Sequence, residues 1–139
     1  MISVTILGGN DNLKDNVKLL LSAYPNIKVC EVEKDHTDIL ILSEQHNCNN
    51  ITTKYLIISD RVNKLDGVSA EIAISGGISD VDTVTISSAA EGKEMASLQR
   101  EILSFYGNII EPREIDLSKM TGSTEDKMLI CSLMLVLEI

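Results

Sequence analysis

Positive charge is in short supply in this chain: 12 Lys and Arg stand against 21 Asp and Glu, leaving a net charge of −9 over 139 residues. Such a surface repels a phosphate backbone and an anionic bilayer, so neither nucleic acid nor membrane is expected as a partner. The acidic residues (Asp11, Asp15, Glu31, Glu33, Asp35, Asp38, Glu91, Glu94, Glu111, Glu114) are scattered and read as the solvated face of a globule. Glycine and proline are also scarce, 8 and 2 residues, beside 44% apolar residues, which excludes disorder and fibrous architectures.

Cysteine is limited to Cys30, Cys48 and Cys131, an odd number without regular spacing. Two of them stand in or beside apolar runs, where a thiol behaves as a small hydrophobe, so a reduced, cytoplasmic protein is expected. The N-terminal run Met1 to Leu7 has neither a basic region nor a small-residue cleavage site, and reads as a strand rather than an export signal. The apolar run Met128 to Leu137, broken by Ser132, is too short to span a bilayer.

The familiar nucleotide motifs are missing as well. Gly8-Gly9-Asn10 is not G-x-G-x-x-G, and no acidic residue closes a second strand, so a nicotinamide cofactor is not supported. Gly122-Ser123-Thr124 lacks the first glycine and the lysine of a Walker loop. No cofactor is assigned.

What is present is an alternation of strands and helices in a length that fits one domain, residues 1–139. A β-branched run over 2–7 meets Gly8-Gly9-Asn10, and Leu13, Val17, Leu20 and Leu21 then recur at helical spacing until Pro25. Strands are expected at 27–32, as an edge, and at 39–42, as a buried centre; the link 33–38 is too short for a crossover helix, so the two are antiparallel neighbours or not neighbours. Residues 44–53 read as a loop, and 55–58, 70–74 and 81–86 as further strands. Met95, Leu98, Ile102 and Phe105 predict an amphipathic helix over 92–106, closed by Gly107. A last strand falls within 109–117, with Pro112 marking an edge or bend, and Ser123-Thr124-Glu125-Asp126 opens a final helix. The implied fold is a three-layer α/β domain, flavodoxin-like or Rossmann-like, with a mostly parallel sheet of five to seven strands flanked by helices.

Small polar residues recur where strands end: Gly8, Gly9 and Asn10, then Ser43, then Ser59 and Asp60, then Ser75, Gly76 and Gly77, then Ser87 and Ser88. In an open α/β sheet ligands bind beyond the carboxyl ends of the strands, where glycine admits close backbone approach and a helix N-terminus favours an anion. The same residues also serve strands that feed tight turns. A response-regulator receiver would carry an acidic pair after the first strand, an aspartate after the third, a hydroxyl after the fourth and a lysine after the fifth; here only Ser59, the hydroxyl, matches that pattern, which excludes a phosphorylated receiver.

Cys30, His36, His46 and Cys48 are zinc-type residues, but their spacing fits no closed site and no metal is expected. Neither histidine is paired by motif with Ser43 or Ser59, neither serine lies in a G-x-S-x-G elbow, and Asp80 with Asp82 reads as turn chemistry, so no catalytic residue is assigned. The expected function is a non-catalytic binding or regulatory domain that takes a small anionic ligand or a partner protein at the strand rim. The alternatives are a small enzyme acting on a phosphorylated or acidic metabolite, and a structural subunit that dimerises or joins a larger assembly through its C-terminal helix.

Overall fold

Residues 1–88 and 93–139 are described by the computed structural model. Contacts divide the chain into two compact units, Met1–Ala73 and Ile74–Ile139.

In the first unit, Ile2–Leu7 forms β1 and Asp11–Leu21 forms α1. Ile27–Cys30 (β2), His36–Leu42 (β3) and Ile51–Ser59 (β4) follow, and Val68–Gly77 (β5) runs across the division. β1 lies between β2 and β3, parallel to both, and β3 is parallel to β4. Thus 27–30 is an edge strand and 39–42 is central, and the two are not neighbours, which is one of the two arrangements the short link between them allows. α1 is set by its cap: Asn10 Oδ1 accepts the Leu13 backbone N–H at 2.8 Å, and Leu13, Val17 and Leu21 point inward.

The β3-to-β4 connection, residues 43–50, contains no helix. Its place over the sheet is taken by the loop itself: Cys48 packs into a buried cluster with Leu7, Leu40, Leu42, Ile51 and Leu56, edged by Ile58, Val62 and Val68. Backbone bonding fastens it, with Ile51 N donating to Gly67 O at 2.8 Å. Gln45 adds side-chain bonds, its Oε1 accepting from Asn63 N and Lys64 N at 3.1 Å. Gly67 sits at φ +74° with its Cα facing this loop, and a Cβ there would collide with the Cys48 carbonyl. Only glycine fits both the conformation and the space.

In the second unit, the end of β5 is parallel to Val84–Ser88 (β6), and Met95–Leu98 (β7) is antiparallel to β6. Ile102–Leu103 (β8) and Ile109–Ile110 (β9) form a separate two-stranded ribbon. Arg113–Asp116 (β10) pairs antiparallel with β7, and Thr124–Leu137 (α2) follows, its Ser123 cap accepting from Asp126 N at 3.2 Å. α2 packs on β6, and nine of its residues are buried, including Met128, Leu133 and Leu137.

The strand order β10-β7-β6-β5-β4-β3-β1-β2 is an eight-stranded mixed sheet, mostly parallel, with two helices among the described residues. It overturns the expected three-layer flavodoxin-like or Rossmann-like domain with five to seven helix-flanked strands. Two local causes account for the difference. The connections 43–50 and 60–67 carry loops where a doubly wound fold carries helices. The segment expected to be a helix over 92–106 is strand and turn wherever it is described: Ala96 and Leu98 alternate inward at 0% and 1% exposure, a period of two that the Met95, Leu98, Ile102 and Phe105 spacing concealed. Gly92 itself lies outside the described residues.

Strand limits differ too. β4 starts at Ile51, inside the expected loop, with Ile51, Thr53 and Tyr55 alternating inward. β6 starts at Val84 rather than Val81, which is 75% exposed in a turn. The single strand expected within 109–117 is two, β9 and β10, parted at Glu111 and Pro112 and placed in different sheets, while the helix opened at Ser123 occurs where expected.

Candidate functional site

Gly8, Gly9 and Asn10 form the β1–α1 turn, with φ of +73° and +85° at the two glycines. The turn lies against the end of β3. A Cβ on Gly8 would stand 2.9 Å from Glu44 Cγ, and one on Gly9 would collide with Ser43 Oγ. Four of the expected rim residues (Gly8, Gly9, Asn10 and Ser43) are therefore one structural group. The Ser43 hydroxyl is fully buried and has no hydrogen-bond partner among the described residues. A buried hydroxyl left unpaired carries a desolvation cost of roughly 1–3 kcal/mol, so it marks a place where a partner is missing.

Ser59 ends β4, buried, and its Oγ accepts from Arg61 N and Arg61 Nε, both at 3.2 Å. Asp60 follows it, exposed. The ends of β3 and β4 are thus followed by charged residues of both signs, Glu44 after Ser43 and Asp60 and Arg61 after Ser59.

The remaining rim residues belong to the second unit and are placed differently. Ser75 Oγ accepts from Thr83 N at 3.0 Å, which ties the end of β5 to the turn before β6. Gly76 lies under α2, where an added Cβ would stand 3.1 Å from the Met128 carbonyl oxygen, and Gly77 pairs with Thr85. Ser87 and Ser88 lie in β6 beside a bulge. Asp82 Oδ2 accepts from Ser79 N at 3.1 Å, the turn role expected of it.

At the heads of the strands in the first unit, a cleft of about 260 Å³ is lined by Ser3, His36, Thr37, Asp38, Thr52 and Lys54, among others. His36 thus stands apart from His46. Sequence reasoning passed over Glu33, which the fold carries from the β2–β3 loop to the β3–β4 loop. One carboxylate oxygen of Glu33, a ring nitrogen of His46 and Cys48 Sγ lie within 4.8 Å of one another. Glu33 Oε2 accepts from Asn49 N at 3.2 Å, which docks one loop on the other. Burial pushes the Cys48 thiol above its ordinary pKa, and the neighbouring Glu33 carboxylate pushes it the same way. Of the expected zinc-type set, Cys30 closes β2 and His36 opens β3, and only His46 and Cys48 are brought together.

Compared with family models, curated proteins and solved structures, the chain matches none. No helix among the described residues is long and apolar enough to cross a membrane.

Proposed function

We propose that this chain is a non-catalytic binding module that holds a small carboxylate-bearing ligand at the β1–α1 turn. The observation that carries this reading is the buried, unpartnered Ser43 hydroxyl against Gly9 at the N-terminus of α1. A slight outward movement of Gly8 and Gly9, which have no side chains to displace, lets one ligand oxygen accept from Ser43 while backbone N–H groups of the first turn of α1 supply the field. Glu44 beside the turn disfavours a dianionic phosphate relative to a singly charged carboxylate.

The serine and histidines weighed as working groups of an enzyme fall in three different places. Ser59 accepts from Arg61, His36 lines the cleft at the strand heads, and His46 lies beside Glu33 and Cys48.

The test is thermal unfolding of the full chain against small mono- and dicarboxylates, with inorganic phosphate and phosphorylated sugars for comparison, followed by calorimetry on any compound that raises the midpoint. A ligand at a hundred times its Kd stabilises by about 2.7 kcal/mol. Ser43→Ala removes an unpaired hydroxyl and is expected to leave the free protein as stable or slightly more so while abolishing the carboxylate shift. A panel that moves nothing, or a shift that survives Ser43→Ala, overturns the reading.

A further inference from the structure

We propose that Glu33, His46 and Cys48 form a zinc-type divalent metal site that pins the β2–β3 loop to the β3–β4 loop. The three donors are a carboxylate oxygen, an imidazole nitrogen and a thiolate sulfur, the element types that zinc takes. They come from two loops separated in sequence by the whole of β3, and all three atoms already lie within 4.8 Å of one another. Ligand atoms around a tetrahedral zinc stand about 3.5 Å apart, as follows from metal–ligand distances of about 2.0–2.3 Å. Closing that gap asks only for side-chain rotation.

The surroundings are built to hold the donors in place. The backbone on either side of Cys48 is fixed by Gly67, which a side chain would push away from the Cys48 carbonyl, and by the Ile51–Gly67 bond. Glu33 is oriented by the Asn49 backbone N–H, which donates to its Oε2, and a carboxylate with two oxygens can accept that bond and bind a metal. Cys48 presents its sulfur from the rim of an apolar cluster, whereas Glu33 and His46 are half-buried, so the fourth coordination position opens toward solvent and takes water or an outside ligand oxygen. On binding, the Cys48 S–H bond breaks, its proton passes to solvent and the sulfur lone pair goes to the metal.

The experiment is a cobalt(II) titration of the reduced full-length chain, read by the sulfur-to-cobalt charge-transfer band in the near ultraviolet, followed by displacement with zinc. One equivalent of cobalt is expected to generate the band and one equivalent of zinc to abolish it. Cys48→Ser removes the band; His46→Gln and Glu33→Gln, each the loss of a direct ligand, weaken affinity by at least about the tenfold that loss of an outer-shell partner costs. Cys30→Ser and Cys131→Ser leave it intact. Glu33→Gln lies outside the apolar cluster and tests the site without disturbing the packing of Cys48. The proposal is overturned by the absence of a band in the unaltered chain, by a band that survives Cys48→Ser, or by affinities unchanged in both Glu33→Gln and His46→Gln.

Discussion

Ser3 and Asp38 grip one another across β1 and β3. Asp38 Oδ2 accepts from Ser3 N at 2.8 Å and from Ser3 Oγ at 3.2 Å, while Ser3 Oγ accepts from Asp38 N at 3.0 Å. The exchange fixes the head of the β1–β3 ladder one residue before the Val4–Ile39 pair. Thr37 adds a further link, its Oγ1 lying 2.8 Å from Thr5 Oγ1 within the core.

Asp38→Ala strips the carboxylate from two donors, and is expected to cost about 1–3 kcal/mol in chemical denaturation. Asp35→Ala, at an exposed loop position, is expected to stay within about 0.5 kcal/mol of the unaltered chain. Equal effects would remove the Ser3–Asp38 exchange as the cause.

Gly76 lies tightly under α2, with the Met128 carbonyl oxygen 3.1 Å and Ser132 Oγ 3.3 Å from the position of a Cβ. Gly76→Val forces the helix outward, and a loss of roughly 1–3 kcal/mol is expected from overpacking. Gly107, with open space around the position of its Cβ and φ of +85°, isolates the conformational term: Gly107→Ala costs only the strain of a left-handed residue, about 1–2 kcal/mol.

Burial pushes the Cys131 thiol from its ordinary value of 9.0 up to about 12. A group whose folded pKa is raised contributes stability that is whole below the unfolded value and is lost as pH rises toward the folded one. The stability of the unaltered chain is therefore expected to fall between about pH 9 and pH 12, and Cys131→Ala is expected to flatten that fall, as followed by urea unfolding across the range. At pH 8, alkylation of Cys131 should proceed no faster than the unfolding that exposes it.

Glu138 ends α2 in the left-handed region, φ +54°, and its Oε2 accepts from Asn108 Nδ2 and Ser104 Oγ, both at 2.8 Å. The Asn108 bond first, then the Ser104 bond, lower its carboxyl pKa below the ordinary 4.5. A lowered folded pKa gives stability that is present above the unfolded value and is lost as pH falls through the folded one. The midpoint of thermal unfolding is expected to drop more steeply below pH 4.5 in the unaltered chain than in Glu138→Gln.

Local chemistry made part of this fold legible. Ser123 announced the last helix because an N-cap is a property of a few adjacent residues, and the first was announced by the spacing of Leu13, Val17 and Leu21 after a turn in which either Asn10 or Asp11 could cap. The edge position of β2 was legible in its alternating pattern, and the short link to β3 excluded only a parallel pairing of the two, leaving the choice between antiparallel neighbours and no contact to topology. What was concealed depended on partners distant in sequence. Met95 to Leu98 has helical spacing with its neighbours, and only its pairing with β6 and β10 makes it a strand. Ile51 to Thr53 looked like loop because Asn49, Asn50 and two threonines surround a single apolar residue, although the inward alternation was there to be counted. Among the rim residues, Gly9 and Ser43 meet because β1 and β3 are neighbours, a fact of topology. Glu33 carried no signal beyond belonging to a charged loop, while the His46-x-Cys48 pair was visible without its third member.

The loop-built connections have a consequence in time. Parallel strands are slow to assemble when each pairing waits for a long crossover to close. Here His36 pairs with Thr52 across little more than β3 and one short loop, so the chain entropy spent in closing that contact is small and grows only slowly with length. Within the first unit the β3–β4 pairing is therefore positioned to form before β1 finds either β2 across α1 or β3 beyond it, so the two parallel partners of β1 are joined later than the strands that the loop connects.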